Sequence, residues 1–196
     1  MFINVIYRLE NMKAVIIPGN DNTQITSNWY QYVKSELEKL GLEVIAENMP
    51  DSKVARKDIW IPYIKDKLAG DEDSILIGHS SGAIAIMKYL EENKCKLAIL
   101  VGTYYSDLDD ELERDSGYFD EPWKWDKIKN NAKKIVIFAS RDDPWINISE
   151  PRLIKENVNA EYHEYKDEGH FGCDYDKKEF PEIVTVVNKV INNLKI

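Results

Sequence analysis

The chain has 196 residues, of which 43% are hydrophobic and 31% charged, proportions that are typical of a globular protein with a buried core. Its 26 basic and 35 acidic residues give a formal net charge of −9, which argues against binding to nucleic acid or to an anionic membrane surface. Two cysteines are too few for a disulfide framework, and no apolar run approaches the ~20 residues of a membrane-spanning helix.

Residues 1–11 precede the first predicted strand and lack the charged start, the apolar core and the cleavage site of a signal peptide. We therefore expect a cytoplasmic protein. We also expect residues 1–11 to form an N-terminal extension and residues 12–196 to form a single α/β domain.

Short apolar segments alternate with helical segments along the rest of the chain. The predicted strands are Lys13–Ile17, Leu42–Ala46, Ser74–Ile77, Leu97–Val101, Ile135–Ala139 and Tyr162–Tyr165. Helices are predicted at Ala55–Ala69, Ala83–Leu90, Trp123–Asn130 and Ser149–Asn157. Another is predicted between an N-cap at Ser27 and a stop at Gly41, and a last helix has Pro181 in its first turn. Thr103 to about Pro122 is predicted to be a long irregular connection. This alternation predicts a three-layer α/β fold with a mostly parallel sheet of about six strands and helices on both faces.

The third predicted strand runs directly into Gly78-His79-Ser80-Ser81-Gly82, and a helical segment follows. Gly-x-Ser-x-Gly between a strand and a helix is the pattern of a nucleophile elbow, in which a tight turn lifts the serine above the sheet. Glycine suits the flanking positions because such a turn leaves no room for side chains. The motif predicts Ser80 as the nucleophile of a serine hydrolase. The alternative is an ordinary strand–turn–helix in which Ser80 caps the helix.

A nucleophilic serine needs a base and an acid, and both follow later strands. Asp142 and Asp143 come directly after the fifth strand, and His170 follows the sixth. In an open parallel sheet these positions meet beyond the carboxyl ends of the strands. Spacing leaves both aspartates as candidates, and Asp-Pro alone also fits a simple turn. The other two histidines lie inside the elbow and inside a strand, so His170 is the best-placed base.

These residue types have complementary chemistry. Imidazole removes the proton of a serine hydroxyl near neutral pH, and an aspartate holds the other ring nitrogen. The oxyanion of the transition state needs hydrogen-bond donors. We predict the backbone N–H groups of Ser81, directly after the nucleophile, and of Asn20, in the loop after the first strand.

Aromatic side chains are predicted to form the substrate pocket. Tyr104, Tyr105, Phe119 and Trp123 follow the fourth strand, and Trp145 and Phe171 flank the aspartate and the histidine. The same connection is acidic, and its acidic residues include Asp107, Asp109, Asp110, Glu111, Glu113 and Asp115. An acidic cleft favours neutral or cationic substrates over anionic ones. The alternatives are a loop packed by its own aromatic side chains and a solvated acidic face.

The motifs resemble those of the retinoblastoma-binding protein nine group of small α/β serine hydrolases, also called the YdeN-like group. The matching segments are Val15–Asn20, Trp29–Tyr30, Asn48–Asp51, Ile77–Ala85, Ser116–Phe119, Pro122–Trp125, Asp142–Pro144 and Gly169–Phe171. The resemblance implies an α/β-hydrolase fold with Ser80, Asp143 and His170 as the triad. It further implies small esters or aminoacyl-type substrates. Our leading hypothesis is a hydrolase that uses Ser80 to cleave carboxyl-esters, thioesters or amides through an acyl-enzyme.

One departure from this family concerns a protein partner. The vertebrate member carries a Leu-x-Cys-x-Glu segment implicated in binding the retinoblastoma protein, whereas this chain has Gly70 in place of the cysteine. Retinoblastoma-type binding is therefore doubtful here. We expect a small-molecule substrate, no cofactor, no metal and a monomer or homodimer. The competing hypotheses are a protein-interaction module with a vestigial site and a thiol enzyme that uses Cys173.

Overall fold

A six-stranded sheet forms the centre of the computed structural model, which describes residues 12–69 and 72–192. The strands are β1 (Lys13–Ile17), β2 (Glu43–Ala46), β3 (Ile75–His79), β4 (Leu97–Val101), β5 (Ile135–Ser140) and β6 (Glu161–Tyr165). They lie in the order β2-β1-β3-β4-β5-β6, and each neighbouring pair is parallel. The predicted parallel sheet of about six strands is confirmed. The predictions for residues 1–11 and for Gly70 lie outside the described residues.

Helices connect and cover the strands. They are α1 (Tyr30–Lys39), α2 (Lys57–Tyr63), α3 (Ser81–Leu90), α4 (Glu111–Ser116), α5 (Trp125–Asn131), α6 (Ser149–Val158) and α7 (Pro181–Asn192). Helix α2 continues as a π-helical turn over Ile64–Ala69. Within the described ranges, none of these helices combines the length and the apolarity needed to cross a bilayer.

The two faces of the sheet carry separate hydrophobic cores. Alternate strand residues point to opposite faces, so that Leu76 packs in one core and Ile77 in the other. The first core contains Trp60 of α2 and buried residues of α3, α5 and α6. The second contains Trp29 and buried residues of α1 and α7. The predicted three-layer arrangement, with helices on both faces, is confirmed.

The connection after β4, predicted to be irregular, contains the short helix α4. The carboxylate of Asp110 caps this helix by accepting hydrogen bonds from the backbone N–H groups of Leu112 and Glu113 at 2.8 and 3.2 Å. Gly117 ends it with a left-handed φ of 75°. A helix of six residues is too short to show hydrophobic periodicity, so the periodicity of the sequence does not predict it.

The start of α1 also differs from the prediction. Ser27 is not the N-cap, because the helix begins at Tyr30 and Trp29 occupies the capping position without a side-chain hydrogen bond. The backbone N–H of Ser27 instead donates to the Gln24 carbonyl at 2.9 Å and closes a turn. Gly41 follows the helix end with a φ of 89°, as a helix-terminating glycine does.

Candidate active site

Ser80 stands on a strained turn between β3 and α3. Its φ of 54° and ψ of −126° are unusual for a residue other than glycine, and such strain is common at functional sites. The Ser80 N–H donates to the Val101 carbonyl at 2.9 Å, while its own carbonyl accepts from Ala83 in the first helical turn. Ser80 occupies the N-cap position of α3, but its side chain makes no capping hydrogen bond. This geometry is that of a nucleophile elbow rather than of an ordinary capping serine.

The two glycines of the motif are required by close packing. A Cβ atom on Gly78 would lie 2.5 Å from the backbone of Gly82. A Cβ atom on Gly82 would lie 2.3 Å from the carbonyl oxygen of Ile17. Both distances are shorter than any side chain tolerates, so glycine at these positions lets the elbow pack against the end of β1.

His170 and Asp143 form a buried pair beyond the ends of β5 and β6. The Nδ1 atom of His170 lies 2.7 Å from Oδ2 of Asp143, and the two side chains are 5% and 2% exposed. The second carboxylate oxygen, Oδ1, accepts hydrogen bonds from the N–H groups of Trp145 and Ile146, both at 3.0 Å. The aspartate is therefore fixed by its own loop while it orients the imidazole ring.

Asp142, the other candidate acid, makes different contacts. Its Oδ1 atom accepts hydrogen bonds from the Ser140 hydroxyl at 2.6 Å and from the Gly169 N–H at 2.9 Å. These bonds hold the pKa of the Asp142 carboxyl below its ordinary value. Asp142 thus joins the loop after β5 to the loop that carries His170, whereas Asp143 contacts the histidine ring itself.

The loop after β1 approaches the nucleophile closely. A Cβ atom on Gly19 would lie 3.2 Å from Ser80 Cβ and 3.7 Å from Ser80 Oγ, so the backbone of this loop runs beside the hydroxyl. In the described part of the chain, neither the Asn20 N–H nor the Ser81 N–H has a hydrogen-bond acceptor. Two donors at the mouth of the elbow are the arrangement that an oxyanion hole requires.

A cavity of about 600 Å³ joins these groups. It contains the nucleophile candidate, the histidine, the loop after β1 and an apolar wall. The lining residues are Gly19, Asn20, Asp21, Thr23, Ser27, Asn28, Ser80, Tyr104, Leu108, Asp110, Leu112, Glu113, Trp145, Ile146, His170, Gly172 and Cys173. Ser80 and His170 therefore open into the same space, which is large enough for a small substrate.

The aromatic residues predicted for the pocket are divided by the structure. Tyr104 and Trp145 line the cavity, and the Trp145 ring meets the His170 ring edge-on, with 5.0 Å between centroids. Tyr105, Phe119 and Trp123 do not line it. Trp123 instead donates from Nε1 to the Tyr105 carbonyl at 2.8 Å, and Phe119 packs edge-on against Trp123. For these three residues the packed-loop alternative describes the structure better.

Phe171 also lies behind the cavity rather than in its wall. Its side chain is fully buried and stacks on Phe180 of α7 with 5.5 Å between centroids. Its carbonyl accepts a hydrogen bond from Trp29 Nε1 at 3.0 Å. Phe171 has a φ of 54°, which turns its side chain into the core and leaves its neighbour His170 at the cavity.

Three cavity residues were not predicted to belong to the pocket individually. From the sequence, Glu113 is assigned only to the acidic face, Asn28 is given no role, and Cys173 is named only as the nucleophile of the competing thiol hypothesis. Asn28 Nδ2 lies 3.6 Å from Cys173 Sγ, so these two residues form one edge of the cavity. The Asp110 cap three residues before Glu113 was the sequence signal that could have placed Glu113 on a helix.

Three residues of the types that ligate metals lie close together in the site. One ring nitrogen of His79, one of His170 and the Sγ atom of Cys173 lie within 4.8 Å of one another. However, Nδ1 of His79 is hydrogen-bonded to the Tyr30 hydroxyl and Nε2 to the His170 carbonyl. The His79 nitrogens are thus engaged within the protein, and the arrangement suits acid–base chemistry better than metal ligation.

Comparison with known proteins gives a family and a shared fold. A family model described as serine hydrolase matches residues 14–189. The serine hydrolase RBBP9 of Rattus norvegicus is 44% identical over 181 residues, which cover 91% of this chain and 95% of that protein. YdeN of Bacillus subtilis (strain 168) is 27% identical over 169 residues, 81% of this chain and 86% of that protein. The crystal structure of the ydeN gene product from B. subtilis superposes with a TM-score of 0.84 at 23% identity and covers 93% of this chain and 100% of that one.

Proposed function

The chain belongs to the serine hydrolase family, and we propose that it cleaves small carboxyl-ester, thioester or amide substrates with Ser80 as the nucleophile. One observation carries this proposal. The strained Ser80 and His170, whose ring contacts the buried Asp143, open into a single cavity. Ser80 follows β3, Asp143 follows β5 and His170 follows β6. The chain order is therefore Ser…Asp…His, as in α/β-hydrolases.

In the proposed first half-reaction, His170 removes the proton of the Ser80 hydroxyl while Oγ attacks the carbonyl carbon of the substrate. Asp143 holds the Nδ1–H of the ring and stabilises the imidazolium that forms. His170 then gives its proton to the leaving alcohol, thiol or amine, and the acyl group stays on Ser80. In the second half-reaction His170 removes a proton from a water molecule, and the water oxygen attacks the acyl carbonyl carbon. The ring then gives this proton to Ser80 Oγ, and the acid is released.

The negative charge that develops on the substrate carbonyl oxygen needs fixed donors. We assign this role to the backbone N–H groups of Ser81 and Asn20. Their free N–H groups and the close approach of Gly19 to Ser80 Oγ support the assignment. Donors that are already oriented stabilise the oxyanion without reorganisation. Removal of one such donor has been measured to lower kcat by about 10²–10³-fold.

The cavity favours substrates without negative charge. Its acidic side chains are Asp21, Asp110 and Glu113, and among the described lining residues none is lysine or arginine. Leu108 and Trp145 belong to the apolar wall. We therefore propose neutral or cationic substrates, including aminoacyl esters and amides with an apolar side chain. Matched esters that carry an amine or a carboxylate test this point: kcat/KM should be higher for the amine, and equal values would exclude charge selection.

The activity itself is tested by stopped-flow hydrolysis of p-nitrophenyl acetate. An acyl-enzyme predicts a burst of p-nitrophenol equal to the enzyme concentration when deacylation is slow. Ser80→Ala should abolish the burst and leave only residual turnover. A burst that survives Ser80→Ala would exclude Ser80 as the nucleophile.

The thiol alternative has one observation in its favour, because Cys173 lines the cavity near His170. Its chemistry is less favourable. Cys173 is exposed at the cavity edge, but partial desolvation of its thiol there raises the pKa to about 11, which leaves little thiolate at neutral pH. Cys173→Ser should therefore retain the burst. If Cys173→Ser loses the burst while Ser80→Ala keeps it, the nucleophile is Cys173 rather than Ser80.

A further inference from the structure

One carboxylate oxygen in the cavity contacts both residues to which we assign the oxyanion donors. Oε1 of Glu113 accepts a hydrogen bond from Asn20 Nδ2 at 2.9 Å and a longer one from the Ser81 hydroxyl at 3.4 Å. Asn20 lies in the loop after β1, Ser81 begins α3, and Glu113 belongs to α4. Three segments that are distant in sequence thus meet at a single atom.

We propose that Glu113 is a positioning residue that fixes the distance between the Asn20 and Ser81 backbone N–H groups. The inference rests on the proposed function, because those N–H groups are the assigned oxyanion donors. A displaced donor loses much of its effect, since hydrogen bonds weaken steeply with distance and angle. An anchor on both side chains prevents the loop after β1 from moving away from the elbow.

The surroundings of Glu113 hold the carboxylate in place. Asp110 caps α4, and the Ser116 hydroxyl donates to the Glu113 carbonyl at 2.6 Å. The hydroxyls of Tyr104 and Ser81 lie 3.2 Å apart, so a tyrosine from the same connection also contacts the elbow. Helix α4 therefore presents Glu113 to the loop after β1.

Glu113 is poorly suited to a purely stabilising role. The residue is 6% exposed, and among the described residues Oε2 has no hydrogen-bond partner. No lysine, arginine or histidine contacts the carboxylate in the described ion pairs, and burial raises its pKa above the ordinary value. A buried carboxylate without a cation destabilises a fold, whereas an apolar residue would not. The contacts with Asn20 and Ser81 give this carboxylate a functional reason.

The test compares Glu113→Gln, which keeps an acceptor oxygen, with Glu113→Leu, which removes it. Rates are divided by the concentration of sites titrated with a fluorophosphonate, so that misfolded protein does not count. For Glu113→Leu we expect kcat to fall at least ~10-fold with KM within about twofold, because the donors act on the transition state. Glu113→Gln should retain most of kcat. An unchanged kcat in Glu113→Leu would overturn the proposal.

A second readout does not depend on turnover. The N–H groups of Asp21, Asn22 and Thr23 donate to the carbonyls of Lys53, Ser52 and Asn20, so hydrogen exchange reports on this loop. Exchange of residues 19–23 should accelerate in Glu113→Leu and return toward the wild-type rate in Glu113→Gln. Unchanged exchange in Glu113→Leu would overturn the positioning role whatever the activity.

Asn20→Ala breaks the same contact from the other side and serves if Glu113→Leu does not fold. It should lower kcat and accelerate exchange of residues 19–23. Where both single variants fold, the double variant should be no worse than the poorer single variant. Effects that multiply independently would contradict a shared anchor. A wild type that turns over no ester would reject the proposed function instead, and the exchange data would still decide whether Glu113 fixes the loop.

Discussion

The Nε2 atom of His79 lies 2.9 Å from the backbone carbonyl oxygen of His170. A carbonyl only accepts, so Nε2 carries the hydrogen, and Nδ1 of the neutral ring accepts from the Tyr30 hydroxyl at 2.6 Å. Burial, and after it the neighbouring His170, hold the pKa of His79 well below its ordinary value, which keeps the ring neutral. His79 therefore connects the elbow directly to the loop that carries the proposed base.

Replacement of His79 by Leu should lower kcat about 100-fold, because a misplacement of about 1 Å between nucleophile and base has an effect of that size. The measurement is steady-state hydrolysis of p-nitrophenyl acetate, corrected for titrated sites. His163→Leu is the matched control, since His163 stacks on Phe138 in the sheet and pairs with Glu161. A similar loss in both variants would show a general effect of histidine replacement rather than a coupling of elbow and base.

Asp143 and Asp142 offer a comparison between adjacent carboxylates. Asp143→Asn should reduce kcat by about 10⁴, as loss of the orienting carboxylate does in the chymotrypsin-type triad that serves as the reference. Asp142→Asn leaves the Asp143–His170 contact intact, and we expect a loss of less than about tenfold because Asp142 only joins two loops. The reverse order of effects would transfer the acid role to Asp142.

The raised pKa of Glu113 predicts a pH-dependent difference in stability. In the unfolded chain a glutamate ionises near pH ~4.3, whereas the folded protein holds this proton to a higher pH. Between those values the unfolded state binds fewer protons, so the free energy of unfolding decreases as pH rises. Wild type should therefore lose stability relative to Glu113→Gln as pH increases above about 4. Urea unfolding of both proteins across this range measures the difference, and a difference that is constant with pH would contradict the shift.

Trp145 is predicted to contact the acyl or leaving group. Its side chain is 55% exposed beside His170, at the cavity wall that also contains Leu108 and Ile146. Trp145→Ala should lower the preference for p-nitrophenyl butyrate over acetate about tenfold, at about 0.8 kcal/mol for each buried methylene. Leu153→Ala, also an exposed apolar side chain but outside the cavity, should leave the preference unchanged. Equal losses for both esters in Trp145→Ala would place the acyl chain elsewhere.

Much of the fold could be predicted because its signals are local. Buried strands such as Leu97–Val101 are short apolar runs, and Gly78 and Gly82 mark a turn whose packing excludes side chains. The approach of the loop after β5 to the loop that carries His170 follows from their positions after neighbouring parallel strands. Spacing does not separate Asp142 from Asp143, and only the family resemblance favours Asp143, which contacts the ring. These features need no knowledge of distant contacts.

The remaining features depend on tertiary packing. Glu113 belongs to an acidic run that is typical of a solvated surface, and only the contacts with Asn20 and Ser81 show that it is buried. Trp123 is typical of a pocket residue in sequence, but it packs within its own loop. No pattern along the chain distinguishes these outcomes, because each is decided by residues far away in sequence.

The central claim is that Ser80 is a nucleophile activated by His170, and covalent labelling by a fluorophosphonate tests it most directly. Intact-mass and peptide measurements should show a single adduct on Ser80 in the wild type, no adduct in Ser80→Ala and strongly slowed labelling in His170→Ala. Absence of labelling in folded wild-type protein, or an adduct on another residue, would contradict the account. The first of these results would favour a vestigial site in a protein-interaction module.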